Sequence, residues 1–133
     1  MTASRAEPTR QRTALVVDDE LVVRMVLRRF FARHGWQVLE AENGERALEI
    51  LAGETLPDVV LCDLNLPGLS GTAFCRRATE LRPQLASRLV LTSGDPLSAA
   101  AALEREHLGC PVLAKPFTLS DLDRILDTLL CAA

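Results

Sequence analysis

Five side chains carry the chemistry that this sequence offers: Asp18, Asp19, Asp63, Thr92 and Lys115. Each follows a short apolar run: Leu15-Val16-Val17 before Asp18 and Asp19, Val59 to Cys62 before Asp63, Leu89-Val90-Leu91 before Thr92, and Pro111-Val112-Leu113-Ala114 before Lys115. A carboxylate at the end of a buried strand is costly to ionise unless a cation compensates it, and three of them converging on one rim repel one another. A hard divalent ion is the natural remedy. Magnesium, held by two or three carboxylates and a backbone carbonyl of the turn at Asn65, keeps positions for a phosphoryl oxygen. Lys115 can neutralise a second phosphoryl oxygen and Thr92 can donate a hydrogen bond to a third. The chemistry implied is phosphoryl transfer onto Asp63. Singly, a strand-end aspartate is usually a turn former or a helix cap; five polar groups at successive strand ends are a site. Lys115 is also the only lysine among 15 basic residues, and a compact ammonium fits among carboxylates where a planar guanidinium does not.

The elements that must position these residues alternate along the chain. Thr13 to Val17 reads as a strand running into Asp18-Asp19-Glu20. Val23, Val26, Leu27, Phe30 and His34 then recur as one apolar helical stripe, with Arg24, Arg28 and Arg33 on the other face and Gly35 as the stop. Trp36 to Ala41 is the second strand, and Asn43-Gly44 starts a helix running to Gly53. Pro57 opens the strand that ends at Asp63, and the turn Asn65 to Gly71 reverses the backbone so that the carboxylate stands at the rim of a sheet. Ser70 caps a helix bearing Phe74, Ala78 and Leu81, with Pro83 as its stop. After the strand ending in Thr92-Ser93-Gly94, Asp95-Pro96 starts a helix that reaches about His107 and is closed by Gly109. Thr118 and Asp121 form a capping box for a last helix buried through Leu119, Leu122, Ile125, Leu126 and Leu129. Five short strands alternating with five helices imply a doubly wound α/β domain with a parallel sheet, whose functional groups gather at the carboxyl ends of the strands.

The 133 residues, 48% of them hydrophobic, suit one domain over residues 13–131, after a polar lead-in at 1–12 and before a short end at 132–133. A net charge of −3 provides no attraction for polyphosphate, so nucleic acid is not expected as a direct partner. No apolar run approaches the ~20 residues of a membrane span, and the N-terminus lacks a secretory core, so a cytoplasmic protein without a membrane partner is expected. Cys62, Cys75, Cys110 and Cys131 form no metal or redox motif and read as buried free thiols.

Asp18-Asp19, Asp63 followed by Leu-Pro-Gly-Leu-Ser-Gly, Thr92, and Lys115-Pro116-Phe117 together resemble the receiver domain of two-component response regulators over residues 13–131. That resemblance implies a (βα)5 fold with strand order 2-1-3-4-5. It implies that Asp63 accepts a phosphoryl group from a histidine kinase or histidine phosphotransfer protein. Magnesium, or manganese in its place, would be held by Asp18, Asp19, Asp63 and the Asn65 carbonyl. Thr92 and Lys115 would sense the phosphoryl group, and the Lys115-Pro116 peptide would be cis. Asn65 and Gly94 occupy the positions that tune the phosphoryl lifetime. Receivers often carry Tyr or Phe three residues before the lysine; here that position is Val112, so the aromatic half of the switch is missing. The expected docking face for the kinase or phosphotransfer partner is Arg24, Arg28 and Phe31 on the first helix. The surface of helix 4, strand 5 and helix 5 is expected to serve the downstream protein or a homodimer.

Such a domain is a phosphoacceptor rather than an enzyme acting on other substrates. No output module is expected after the last helix, so the chain reads as a stand-alone regulator or a phosphorelay carrier, with a receiver from a hybrid kinase as the alternative. A phosphatase working through an aspartyl phosphate would want a second acid two residues after Asp63, where Asn65 stands. A nucleotide-binding module would want a glycine-rich first turn in place of Asp-Asp-Glu.

Overall fold

In the computed structural model, which describes residues 11–131, strand β1 (Thr13–Val17) is buried along its whole length, as are β3 (Val59–Asp63) and β4 (Leu89–Ser93). These near-continuous apolar runs form the centre of a parallel sheet covered on both faces. The shorter or more polar β2 (Gln37–Ala41) and β5 (Val112–Ala114) form its edges, giving the order β2-β1-β3-β4-β5. Side chains alternate between two cores. Leu15, Val17, Val60, Cys62 and Leu91 face α2 (Gly44–Leu51), α3 (Gly71–Leu81) and α4 (Pro96–Arg105). Ala14, Val16, Val59, Leu61 and Val90 face α1 (Leu21–Arg33) and α5 (Leu119–Cys131).

The expected turn chemistry holds at most helix starts. Asn43 Oδ1 accepts from the Arg46 N–H at 2.7 Å, Ser70 Oγ from Ala73 at 3.2 Å, and Asp95 Oδ1 from Ser98 at 3.2 Å. Thr118 and Asp121 make the reciprocal capping box, each side chain accepting from the other's backbone N–H at 3.0 Å. Thr118→Ala is therefore expected to cost about 1 kcal/mol in unfolding experiments. The backbone and then the hydroxyl of Thr118 hold the Asp121 carboxyl below its ordinary pKa. Its contribution is therefore fully present above the ordinary carboxylate range and is lost as pH falls through the lowered value. The melting temperatures of wild type and Asp121→Asn should accordingly converge in acid.

The structure corrects several expectations. Phe31, assigned to a partner face, is 0% exposed. Its ring packs against Phe30 at 5.3 Å and Trp36 at 5.1 Å, because the buried arc of α1 is Leu27, Phe30 and Phe31. Val26 and Leu119, read as core residues, are exposed, as is His34, which lies with its ring on Phe30. Pro83 ends α3 but also opens a 3-10 turn, Pro83–Ser87, that buries Leu85. The chain turns after α4 at His107, with φ of 57°, rather than at Gly109. Of the lead-in at 1–12, Gln11 and Arg12 are tied to the fold through Gly35 and Gln37; the rest of it, and residues 132–133, lie outside the described residues.

Cys62, Cys75 and Cys110 are free and buried. At Cys75 the hydrogen bond with Cys110 acts to lower the thiol pKa, but that with Cys62 and burial outweigh it and push it well above its ordinary value. Such thiols are poor nucleophiles. Among the described residues no helix is long and apolar enough to cross a membrane.

Candidate functional site

The register of the sheet brings four strand ends to one rim. Asp63, the last residue of β3, pairs with Thr92 of β4, and Ser93 pairs with Ala114 of β5. The ladder continues one residue beyond the strands at each end: the Asp18 N–H donates to Ala41 at 3.1 Å, that of Leu64 to Thr92 at 2.9 Å and that of Lys115 to Ser93 at 2.7 Å. Asp18, Asp63 and Thr92 are buried, whereas Asp19 is exposed. Carboxylate oxygens of Asp18, Asp19 and Asp63 lie within 4.8 Å of one another.

The Lys115 ammonium stands 2.9 Å from Asp18 Oδ2, 3.3 Å from Asp63 Oδ2 and 3.5 Å from Glu20 Oε1. The other carboxylate oxygens accept backbone N–H groups, Asp18 Oδ1 from Glu20 at 2.9 Å and Asp63 Oδ1 from Asn65 at 3.2 Å. Burial raises the Asp63 pKa; the Asn65 N–H and Lys115 offset part of this, and the Asp18 charge adds to it. For Lys115 burial disfavours the ammonium, but its hydrogen bond and attraction to Asp18, and then to Asp63, outweigh that and raise its pKa. The cluster sets the carboxyl groups of Asp18, Asp19, Glu20 and Asp63 against one ammonium. All its donors are hard oxygens, and a divalent cation would relieve the burial that raises Asp63. The residues fit magnesium.

Two supports were not assigned from the sequence. A Cβ on Gly71 would lie 2.4 Å from the Asp63 carbonyl oxygen and 2.7 Å from Leu64 Cα, so α3 starts directly against the end of β3. Arg24, expected on the outer face of α1, turns back to donate to the Asp18 carbonyl at 2.6 Å. The only available signal was spacing, because main-chain acceptors leave no mark in a sequence.

Residues 14–127 match the family profile of the response regulator receiver domain. The chain belongs to the response-regulator receiver family. Relatives of this receiver include sporulation initiation phosphotransferase F of Bacillus subtilis (strain 168), 33% identical over 116 residues that make up 86% of this chain and 88% of that protein. The DNA-binding transcriptional regulator NtrC of Escherichia coli (strain K12) is 35% identical over 106 residues, 80% of this chain. The receiver spans only 22% of NtrC. Among solved structures, the signal receiver domain of an HD domain-containing protein from Pseudomonas fluorescens Pf-5 superposes with a TM-score of 0.81 at 25% identity, covering 91% of this chain and 95% of that one.

The remaining expected receiver positions are also placed. The Lys115–Pro116 peptide is cis. Asn65 and Gly94 are exposed, and nothing lies within 4 Å of where a Gly94 Cβ would stand. Val112 is half-buried in register with Leu91. Arg28 is exposed and paired with Glu40, so of the three proposed docking residues it alone offers an outward side chain.

Proposed function

We propose that Asp63 is the phosphoacceptor of a two-component signalling pathway, and that the domain works as a single-domain regulator or relay carrier in the cytoplasm. The observation that carries this reading is the Lys115 ammonium, hydrogen-bonded to two buried carboxylates on the rim where the strands end. An Asp63 carboxylate oxygen attacks the phosphorus of a phosphohistidine; the P–O bond forms, the P–N bond breaks, and the imidazole nitrogen takes up a proton. Lys115 holds positive charge beside the oxygens where phosphoryl charge arrives, and Thr92 donates to one of them. Magnesium, or manganese in its place, supplies the remaining neutralisation when held by Asp18, Asp19, Asp63 and the Asn65 carbonyl. Relay use is supported by the similarity to a relative that is itself named a phosphotransferase. A receiver belonging to a hybrid kinase is the alternative.

The kinase or phosphotransfer partner docks on the outward face of α1. There exposed Val22, Met25 and Val26 are flanked by Arg28 and Arg29, in place of the buried Phe31 and the inward Arg24. The phosphorylated state passes to a downstream protein or a second copy through α4, β5 and α5. With Val112 in place of an aromatic, the change is carried by the loop after Thr92 and by α4 as a population shift between two packings.

Intact-mass measurement after incubation with magnesium and a small phosphodonor tests the reading: wild type should gain one phosphoryl group and Asp63→Asn none. An unmodified wild type would sink it. Because the space beside Gly94 is open, water should reach the phosphoryl group readily. Gly94→Arg is expected to slow dephosphorylation several-fold, and an unaltered decay rate would remove position 94 from lifetime control.

A further inference from the structure

Arg24 lies six residues after Asp18 on a helix face that its charge would place in solvent, yet its side chain is only 14% exposed. Nη1 donates to the main-chain carbonyl of Asp18 at 2.6 Å, and Nε donates to Glu40 Oε1 at 3.2 Å. The second Glu40 oxygen accepts from Arg28 at 3.0 Å, and that side chain is 56% exposed. Arg24 is thus the inner of two arginines around one glutamate on β2. It is the one that reaches the acidic loop.

The carbonyl it holds belongs to the peptide joining Asp18 to Asp19. Rotation of that peptide swings the exposed Asp19 carboxylate relative to the buried Asp18 and Asp63, whose oxygens stand within 4.8 Å of its own. A charge-assisted hydrogen bond to the carbonyl resists that rotation. The planar guanidinium reaches two acceptors at a fixed angle, a geometry that a single ammonium does not reproduce. We infer that Arg24 is a positioning residue for the cation-binding acids, acting through the Asp18 carbonyl and itself oriented by Glu40. The inference rests on the proposed cation site.

Groups that orient metal ligands typically affect metal affinity by about ten- to a hundredfold. The test is magnesium titration of the full chain, read by melting temperature, for wild type, Arg24→Ala, Arg24→Lys and Arg28→Ala. It is joined by amide exchange of metal-free protein at Glu20, whose N–H donates to Asp18 Oδ1. Arg24→Ala should raise the magnesium midpoint by about tenfold and speed Glu20 exchange, Arg24→Lys should fall between it and wild type, and Arg28→Ala should match wild type in both. A wild-type magnesium response that Arg24→Ala leaves unchanged, or that Arg28→Ala weakens equally, overturns the inference alone. Absence of any magnesium response in wild type overturns it together with the cation site.

Discussion

Replacing Lys115 with alanine is expected to destabilise the metal-free receiver by about 2 kcal/mol, and magnesium is expected to restore most of the loss. Removing one partner of a fully buried ion pair costs roughly 3–5 kcal/mol. Lys115 sits at the rim with its side chain 19% exposed, so a smaller cost follows. Without the ammonium, Asp18 and Asp63 face each other uncompensated, and the Asp63 pKa, already raised by burial, rises further. A raised carboxyl pKa means that stability falls as pH rises through it. The gap between wild type and Lys115→Ala should therefore close in acid and widen toward neutrality. The Lys115 pKa is itself raised, so the ammonium stays charged throughout that window and the acid loss comes from the carboxyl side of the pair. Magnesium at a hundred times the wild-type dissociation constant stabilises wild type by about 2.7 kcal/mol, and at that same concentration the gain should be larger in the variant, whose carboxylates have no ammonium competing with the cation. Urea unfolding with and without magnesium checks both statements. Equal metal-free stability would mean that the ammonium does not hold the carboxylates together.

Gly71→Ala is expected to disrupt the acceptor itself. By helix propensity alone this change would stabilise the first turn of α3 by up to about 1 kcal/mol. The steric term has the opposite sign and wins. The new methyl would lie 2.4 Å from the Asp63 carbonyl oxygen and 2.7 Å from Leu64 Cα, and both are backbone, without a rotamer to change. Forcing β3 and α3 apart should cost about 3 kcal/mol. A displacement of the acceptor on the order of 1 Å should slow its phosphorylation by about a hundredfold. Gly109→Ala is the control, since nothing lies within 4 Å of its added Cβ; it should unfold and accept phosphate like wild type. Wild-type behaviour of Gly71→Ala would show that the strand end tolerates movement.

The sheet could be read from the chain because its three central strands are buried on both faces, which leaves uninterrupted apolar runs between turn residues. Asp18, Asp63 and Lys115 stood out for the same reason, each being a charge beside such a run. What the pattern could not supply was the rotation of α1. Val26 and Phe31 lie at opposite edges of the arc centred on Leu27 and Phe30, and packing in the core, with Trp36 among the neighbours, makes Phe31 the buried edge. Leu119 fits the apolar period of α5 yet lies at its first turn, 47% exposed. The inward turn of Arg24 leaves no mark in the sequence because its partner is a carbonyl, and every residue has one. In the sequence Gly71 reads as part of a turn, whereas its small size serves the close approach of α3 to β3.

The phosphoryl group is expected on Asp63, and chemical trapping locates it on the chain. Protein phosphorylated with a small phosphodonor and magnesium is trapped with borohydride, which reduces an aspartyl phosphate to homoserine, and its peptides are mapped by mass. The prediction is homoserine at position 63, dependent on magnesium and absent from Asp63→Asn. Reduction at another carboxylate, or at none while the phosphodonor is consumed, would rule out Asp63 as the acceptor.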